Sequence, residues 1–260
     1  MKEKKGIVVI VILSIILLVS LFLGKLQDNK LMDKNSEEYK EWVNSSKDDK
    51  VVPVEEKLKN QVTELDFYSK LIKKETVKIL IAGDRIALSE GKNSDNGIWT
   101  EGVSYIINKN YGSEVELTLL ASQEITIKGG QDLINKNDTS NQDLIILCFG
   151  HNDSIAAANV QEFKSTYSKI ISDIKSKNEN QKLLLIIPST LDNADKYRET
   201  ILAVAEENGL AYVDTKAAMD NSKLSKKSIL NGKLPSDIGY QLYTESFSNV
   251  INEEVQKQNG

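Results

Sequence analysis

Residues 77–85 read VKILIAGDR, an apolar run that ends in a glycine followed by two charged residues. A short, nearly continuous apolar segment of this kind is typical of a strand buried on both faces of a parallel sheet. Runs of the same character occur at residues 115–120, 144–149, 183–187 and 210–213. These runs therefore predict five buried parallel strands.

The segments between these runs carry a helical pattern, with apolar residues recurring every three or four positions. The residues that form these stripes are Trp99, Val103, Ile106 and Ile107; Phe163, Tyr167, Ile170, Ile171 and Ile174; Tyr197, Ile201, Val204 and Ala205; and Tyr240, Tyr243, Phe247 and Val250. We interpret the stripes as core packing. Strands that alternate with helices predict a three-layer α/β/α fold of flavodoxin-like type, with a five-stranded parallel sheet covered on both faces.

The N-terminal part of the chain contains a candidate membrane segment. Residues 6–24 carry no charge and are dominated by Ile, Leu and Val, and Lys2, Lys4 and Lys5 precede them. A helix needs about 20 apolar residues to cross a bilayer, and the lysines favour a cytoplasmic N-terminus. We therefore predict one transmembrane helix that anchors the chain in the cell membrane, with everything after Lys25 outside. The alternative is a cleaved signal peptide, whose apolar region is normally about 7–15 residues long and ends near an Ala-x-Ala-like site.

A charged region at residues 25–75 separates this anchor from the folded part. Its first portion, rich in Lys, Glu, Asp, Asn and Ser, has the composition of a solvated tether. In the second portion apolar residues fall three or four apart, at Leu58, Val62, Leu65, Tyr68 and Leu71. This spacing predicts a helix over residues 54–74, a stalk that packs on the domain at residues 76–260. The alternative is a stretch of solvated charge.

Composition excludes several classes of function. The 260 residues carry a net charge of −5, and the sequence lacks the basic stripe that a nucleic-acid partner requires. One cysteine and one histidine cannot form a zinc site of the usual kind, and no Asp-rich loop indicates a carboxylate site. Cys148 lies inside an apolar run, so we interpret it as a small buried residue. We predict no metal and no cofactor.

Three short blocks resemble the SGNH (GDSL-type) ester hydrolases: Gly83-Asp84-Arg85, Gly150-His151-Asn152-Asp153 and Asn231-Gly232-Lys233-Leu234-Pro235. In that family a Gly-Asp-Ser carries the nucleophile, a Gly-x-Asn-Asp supplies an oxyanion-binding Asn, and an Asp-x-x-His-Pro supplies the base and its orienting acid. The resemblance covers roughly residues 77–250 and implies the SGNH hydrolase fold. Sites in such sheets lie at the carboxyl ends of strands, where the first two blocks are predicted to fall.

The resemblance also implies that the residues of hydrolysis are replaced. Arg85 stands at the serine position, and a guanidinium has no lone pair with which to attack a carbonyl carbon. The family's His falls on Leu234 and its Asp on Asn231. A further block at residues 119–127 places Glu124 at a glycine whose N–H helps bind the oxyanion, and a carboxylate there opposes oxyanion stabilisation.

Four other assignments concern the same cleft. Asn152 matches the family's oxyanion donor. Ser89 lies four residues after Arg85, and nothing in the sequence would position it or take its proton. We interpret His151 as a turn or packing residue rather than a relocated base. We also predict that Arg85 and Glu124 form an ion pair that fills the old cleft, because an unpartnered buried charge is costly.

These assignments predict no catalytic residue and a non-catalytic protein that binds a cell-surface glycan or a protein partner. Candidate ligand contacts are Asp84, Arg85, His151 and Asn152. A role with wall or capsule polysaccharide is an analogy of fold and topology. One alternative is an active O-acyl ester hydrolase, in which Asp84, Asp153 or Glu124 activates water. Another is a scaffold that presents the tether and stalk for oligomer contacts.

Overall fold

The structure, a computed structural model, describes residues 65–178 and 181–259. Strands and helices alternate along most of these residues, as the apolar pattern predicts. Their order is α1 (Phe67–Ile72), β1 (Val77–Gly83), α2 (Trp99–Tyr111), β2 (Val115–Ala121), α3 (Ile127–Asn135), β3 (Leu144–Cys148), α4 (His151–Ile155), α5 (Val160–Lys177), β4 (Lys182–Ile187), α6 (Lys196–Asn208), β5 (Ala211–Asp214), α7 (Thr215–Asn221), α8 (Lys226–Ile229), β6 (Leu230–Asn231), β7 (Leu234–Pro235) and α9 (Asp237–Asn259).

The first five strands form one parallel sheet in the order β2-β1-β3-β4-β5. In its register Ile79 of β1 pairs with Leu117 of β2 on one side and with Leu144 of β3 on the other. The direction in which strands are added reverses between β1 and β3, and the crevice outside the strand ends at such a reversal is where open α/β sheets bind ligands. The predicted five-stranded parallel sheet is confirmed.

Helices cover both faces of this sheet. Helices α3, α5 and α6 pack together on one face, and α1, α2, α7 and α9 pack on the other. Phe163 and Tyr167 of α5 are buried in the first layer. In the second layer the Tyr243 ring lies 5.8 Å from that of Trp99 and 5.3 Å from that of Tyr240. The helical stripes are therefore core, and burial of these large side chains is the main source of stability.

Strand β2 differs from the prediction. Its apolar run predicts a strand buried on both faces, but none of its seven residues is fully buried, and Leu119 is 40% exposed. The strand lies at the edge of the sheet, where it has only one neighbour. Strand order, which the run itself does not encode, decides its burial.

Helix α1 also differs from the prediction of a stalk over residues 54–74. The helix begins at Phe67, because the Asp66 side chain accepts a hydrogen bond from the Ser69 N–H at 2.9 Å and caps it. Phe67, Tyr68 and Leu71 are buried in contacts with β1, α2 and α9. The described part of the predicted stalk therefore belongs to the folded domain, and residues 54–64 lie outside the described residues.

Within residues 65–178 and 181–259, no helix has both the length and the apolar character needed to span a bilayer. The predicted anchor at residues 6–24 and the tether that follows it lie outside the described residues.

Candidate functional site

The turn after β1 is tied to the turn after β3 by one buried carboxylate. Asp84 is fully buried, and it accepts the N–H of Ile86 at 3.0 Å and the N–H of Asn152 at 3.1 Å. Burial raises the pKa of Asp84 to about 7, although these N–H groups act in the opposite direction. At Gly83 an added Cβ would meet the Cys148 carbonyl, so the close approach of the two turns requires glycine there.

Arg85 follows Asp84 and is held by Asn152. Its Nε donates to Asn152 Oδ1 at 2.8 Å, and its Nη1 lies 3.4 Å from Glu90 Oε1. Its Nη2 lies 4.0 Å from Glu124 Oε1, and the Glu124 side chain is 87% exposed. The predicted ion pair between Arg85 and Glu124 is therefore present as a long contact. It does not fill the cleft, because the Glu124 side chain lies at the surface.

All the polar atoms of the Asn152 side chain are engaged within the protein. Its Nδ2 donates to the carbonyls of Gln123 at 2.8 Å and Ile125 at 2.7 Å, while Oδ1 accepts from Arg85. A side-chain amide has two N–H groups, and both are used here. Asn152 thus joins the segments that follow β1, β2 and β3, and it has no N–H left for a bound oxyanion.

Asp153 caps the helix that lies beside this network. Both of its oxygens accept the N–H of Ile127, at 3.2 and 3.1 Å, where α3 begins. Burial raises the pKa of Asp153 to about 6. Its carboxylate favours the start of α3 electrostatically as well as through these bonds. The position of Asp153 is that of a structural group rather than one that faces a bound molecule.

His151 makes a contact that the sequence did not predict. Its Nδ1 lies 2.7 Å from Thr190 Oγ1, and its Nε2 is buried without a hydrogen-bond partner among the described residues. Burial, and then the charge of Arg85, lower the pKa of His151 to about 4, so the imidazole is neutral at pH 7. Thr190 follows β4, and no motif in the sequence marks it.

A pocket of about 250 Å³ lies where these residues meet, and its lining includes only two of the four predicted contacts. Asp84 and Asn152 support the pocket from outside its lining. The side chains that line it are Arg85, His151, Ser154, Ile155, Thr190, Leu191, Lys233 and Leu234. Within residues 65–178 and 181–259 no cluster of three His, Cys, Asp or Glu residues could hold a metal ion.

The hairpin of β6 and β7 brings one of its two predicted site residues to the pocket. Asn231 and Leu234 are paired across the hairpin, and Leu234 lines the pocket. Asn231 is exposed, and its Nδ2 donates to the Gly91 carbonyl at 2.9 Å and to Asn93 Oδ1 at 3.1 Å. Leu234 is thus part of the pocket wall, whereas Asn231 holds the neighbouring loop.

Ser89 has a structural role. It is fully buried, its φ is 57°, and its Oγ accepts the N–H of Trp99 at 3.2 Å where α2 begins. Ser89 is absent from the pocket lining. The geometry agrees with the expectation that it does not replace the missing serine.

Comparison with known proteins gives a family match and a set of similar folds. The model of the GDSL-like Lipase/Acylhydrolase family matches residues 83–242. A two-domain esterase active on acetylated mannans aligns with a TM-score of 0.60 at 16% identity, over 72% of this chain and 51% of the esterase. A family 3 carbohydrate esterase from Clostridium thermocellum aligns with a TM-score of 0.59 at 17% identity, over 71% of this chain and 100% of the esterase.

A lipase from a goat rumen metagenome also aligns, with a TM-score of 0.56 at 14% identity, over 67% of this chain and 97% of the lipase. No curated protein matches the chain in sequence. At these identities the structural matches establish a shared fold, and fold alone does not establish activity.

Proposed function

Because the chain belongs to the GDSL-like lipase/acylhydrolase family, we propose that it is a member that binds a ligand in its pocket without hydrolysing it. The resemblance in sequence assigns the nucleophile position to Arg85, the base position to Leu234 and the orienting acid to Asn231. An arginine, a leucine and an asparagine at these positions cannot carry out the serine mechanism.

The hydrogen bonding of the Asn152 side chain is the main observation in support of this proposal. The hydrogen bond between Arg85 Nε and Asn152 Oδ1 is 2.8 Å long, and the N–H groups of Asn152 are bonded to Gln123 and Ile125. The residue that would supply an oxyanion donor is therefore used to fix a cation in the pocket. Without a preorganised donor for the developing negative charge, acyl transfer loses its largest stabilising interaction.

A location at the cell surface completes the proposal. The apolar run at residues 6–24 and the lysines before it support a single-pass anchor, with the domain outside. The ligand proposed is a glycan or a glycan-bearing partner, by analogy with similar folds that include an esterase active on acetylated mannans and a carbohydrate esterase. Protease treatment of intact cells tests the location, since an outside domain is cleaved and one inside the cell is protected.

Hydrolysis assays test the absence of activity. The full-length chain, kept soluble with a mild detergent, is incubated with chromogenic acetate esters from mildly acidic to mildly alkaline pH. We expect no turnover above that of the Arg85→Ala variant, since no positioned group attacks the ester. Turnover that Arg85→Ala or Asn152→Ala abolishes, while the exposed Lys227→Ala retains it, would overturn the proposal.

A second candidate is an active hydrolase, and the contact between Thr190 and His151 favours it. A hydroxyl hydrogen-bonded to an imidazole is the arrangement that activates a nucleophile, and here the two atoms are 2.7 Å apart in the pocket. However, a pKa of about 4 makes His151 a weak base. No described group accepts a hydrogen bond from Nε2 to orient the ring.

Three substitutions decide between these candidates. Thr190→Val removes the hydroxyl with little change of volume, and Ser154→Ala is its matched control at the other hydroxyl of the pocket. If the second candidate is right, Thr190→Val and His151→Gln both abolish ester turnover and Ser154→Ala does not. If ligand binding is right, the three variants and the parent chain are equally inactive.

A further inference from the structure

We propose that the pocket takes a small ligand that carries a carboxylate, such as an acidic sugar unit, with the carboxylate bound by Arg85 and attracted by Lys233. This inference rests on the proposed function, because it names the ligand class of the same pocket.

The charge of the lining is the first observation. Among the eight lining residues are one arginine and one lysine, and there is no carboxylate. Three acidic residues lie near the pocket but outside its lining. Glu90 lies 3.4 Å and the largely exposed Glu124 lies 4.0 Å from the Arg85 guanidinium, and Asp195 accepts from Ser154 Oγ at 3.0 Å. Opposite charge on a ligand is favoured where the wall carries a positive charge.

The way in which Arg85 is held is the second observation. A guanidinium has five N–H donors, and the shortest bond of Arg85 uses Nε, at 2.8 Å from Asn152, while Nη1 makes a longer bond of 3.4 Å to Glu90. Asn152 is in turn fixed by two backbone carbonyls. The side chain is therefore held in place while N–H groups of Nη1 and Nη2 remain for a ligand, and their planar arrangement matches the two oxygens of a carboxylate.

The size and the remaining chemistry of the pocket limit the ligand. Its volume of about 250 Å³ is slightly below the ~300–1,000 Å³ typical of sites for drug-sized ligands. Ile155, Leu191 and Leu234 supply an apolar wall, against which the C–H face of a sugar ring can pack. The hydroxyls of Ser154 and Thr190 already contact Asp195 and His151. Apart from Arg85 and Lys233, few donors remain for a third oxygen, which favours carboxylate over phosphate.

His151 reports on occupancy, because it is the single histidine of the chain. In the free protein, burial and the charge of Arg85 lower its pKa to about 4. A bound carboxylate would neutralise Arg85 and add an attractive charge, and both effects raise the pKa of a histidine. A neutral ligand produces neither effect.

Three sugars with the same ring test the inference on the full-length chain. Methyl glucuronide carries a carboxylate at C6, methyl glucoside carries a hydroxyl there, and methyl glucoside 6-phosphate carries a phosphate. Calorimetry is expected to show that the glucuronide binds about tenfold or more tightly than the glucoside, since a hydrogen bond to a charged group is strong. In NMR spectra of the untagged protein, the glucuronide should raise the pKa of His151 by a large amount and the neutral glucoside should not.

Substitutions locate the interaction. Arg85→Gln should weaken glucuronide binding about tenfold to hundredfold. Arg85→Lys should restore only part of it, because an ammonium lacks the paired N–H groups with which a guanidinium binds both oxygens of a carboxylate. Lys233→Ala should weaken binding about two- to fivefold, whereas Lys227→Ala, an exposed lysine outside the lining, should have no effect. Because Lys233 is exposed, its replacement leaves the fold unchanged and keeps the test valid even if Arg85 variants unfold.

Three outcomes would overturn the inference. Equal binding of glucuronide and glucoside would show that the pocket does not recognise a carboxylate, although the proposed binding function would remain. Tighter binding of the 6-phosphate would show that the pocket prefers a phosphate to a carboxylate. If none of the sugars binds, acidic sugars are excluded as the ligand class. The ester assays decide separately whether the chain is an enzyme.

Discussion

Asn152 makes three side-chain hydrogen bonds, one to Arg85 and two to backbone carbonyls of the segment after β2. Its backbone N–H donates to Asp84, so Asn152 makes four hydrogen bonds within the site. Buried polar groups of this kind cost little while every partner is present and much when one is removed. The geometry of the site therefore depends on Asn152, a residue whose role is structural.

Replacing Asn152 tests this role. Asn152→Ala leaves two carbonyls and the Arg85 Nε without partners, and we expect it to lower the free energy of unfolding by about 2–4 kcal/mol. The matched control is Asn231→Ala, which also removes an amide with two acceptors but at an exposed position. Its cost should be below about 1 kcal/mol. Urea unfolding of both variants measures the difference, and equal costs would show that the Asn152 network is not important for stability.

Asp84 makes the stability of the protein depend on pH. Its folded pKa of about 7 lies above the ordinary value. From about pH 4 to about pH 7 the folded chain therefore keeps a proton that the unfolded chain has released. Stability must then fall as pH rises, by about 3 kcal/mol for this group.

Urea unfolding at both ends of that range measures the slope. In Asp84→Asn the decrease due to this group should disappear, leaving a decrease from Asp153, whose pKa is also raised, and an opposing increase from His151, whose pKa is lowered. The exposed Asp192→Asn should retain the full slope. A slope that Asp84→Asn leaves unchanged would show that Asp84 is ionised throughout this range in the folded protein.

Among the elements, helix α3 supports the site, because it follows the segment after β2 and its first residue contacts Asp153. Asp153 caps its first residue, and Gly130 in its first turns faces the buried Phe149 ring, which an added Cβ would meet. The helix can lie this close to the end of β3 only because residue 130 has no side chain.

A pair of alanine substitutions in α3 tests this packing. Both Gly129→Ala and Gly130→Ala gain up to about 1 kcal/mol of helix propensity. At Gly129 the new Cβ would lie 3.2 Å from Ile125 Cβ, a contact that a small shift relieves, whereas at Gly130 it clashes with the Phe149 ring. We expect Gly130→Ala to be the less stable variant by about 1–3 kcal/mol in urea unfolding. Equal stabilities would show that the helix shifts freely.

Elements with strong apolar patterns were predicted well, and those set by their surroundings were not. The runs at residues 77–82 and 144–149 correspond to central strands of the sheet, and the stripes beginning at Phe163 and Tyr197 lie on buried helix faces. The exposure of β2 and the start of α1 at Phe67 depend on strand order and on one cap. Neither feature has a period in the sequence.

The site could be predicted only in part for the same reason. The blocks around Arg85 and Asn152 lie at strand ends and meet, as the topology requires. Glu124 was predicted to lie near Arg85, as it does, but its side-chain direction was not predictable, and the structure leaves it exposed. Thr190 follows β4 without any motif, and its contact with His151 arises only when the loops after β3 and β4 come together.

At the scale of the whole molecule, the family's sheet and crevice persist around a pocket whose wall includes Arg85, Lys233 and Leu234. The fold places the pocket by the reversal of strand order between β1 and β3. The side chains within it then determine what the pocket can do. On the proposal made here, they hold an anionic ligand and provide no activated nucleophile.

Labelling with a fluorophosphonate probe tests whether the pocket holds an activated nucleophile, since the probe forms a covalent adduct only with such a group. The full-length chain and a GDSL-type esterase with its serine present are treated together, and intact mass and peptide mapping locate any adduct. We expect a labelled esterase and an unlabelled chain. A stoichiometric adduct on Thr190, Ser154 or any other residue of the pocket would contradict it.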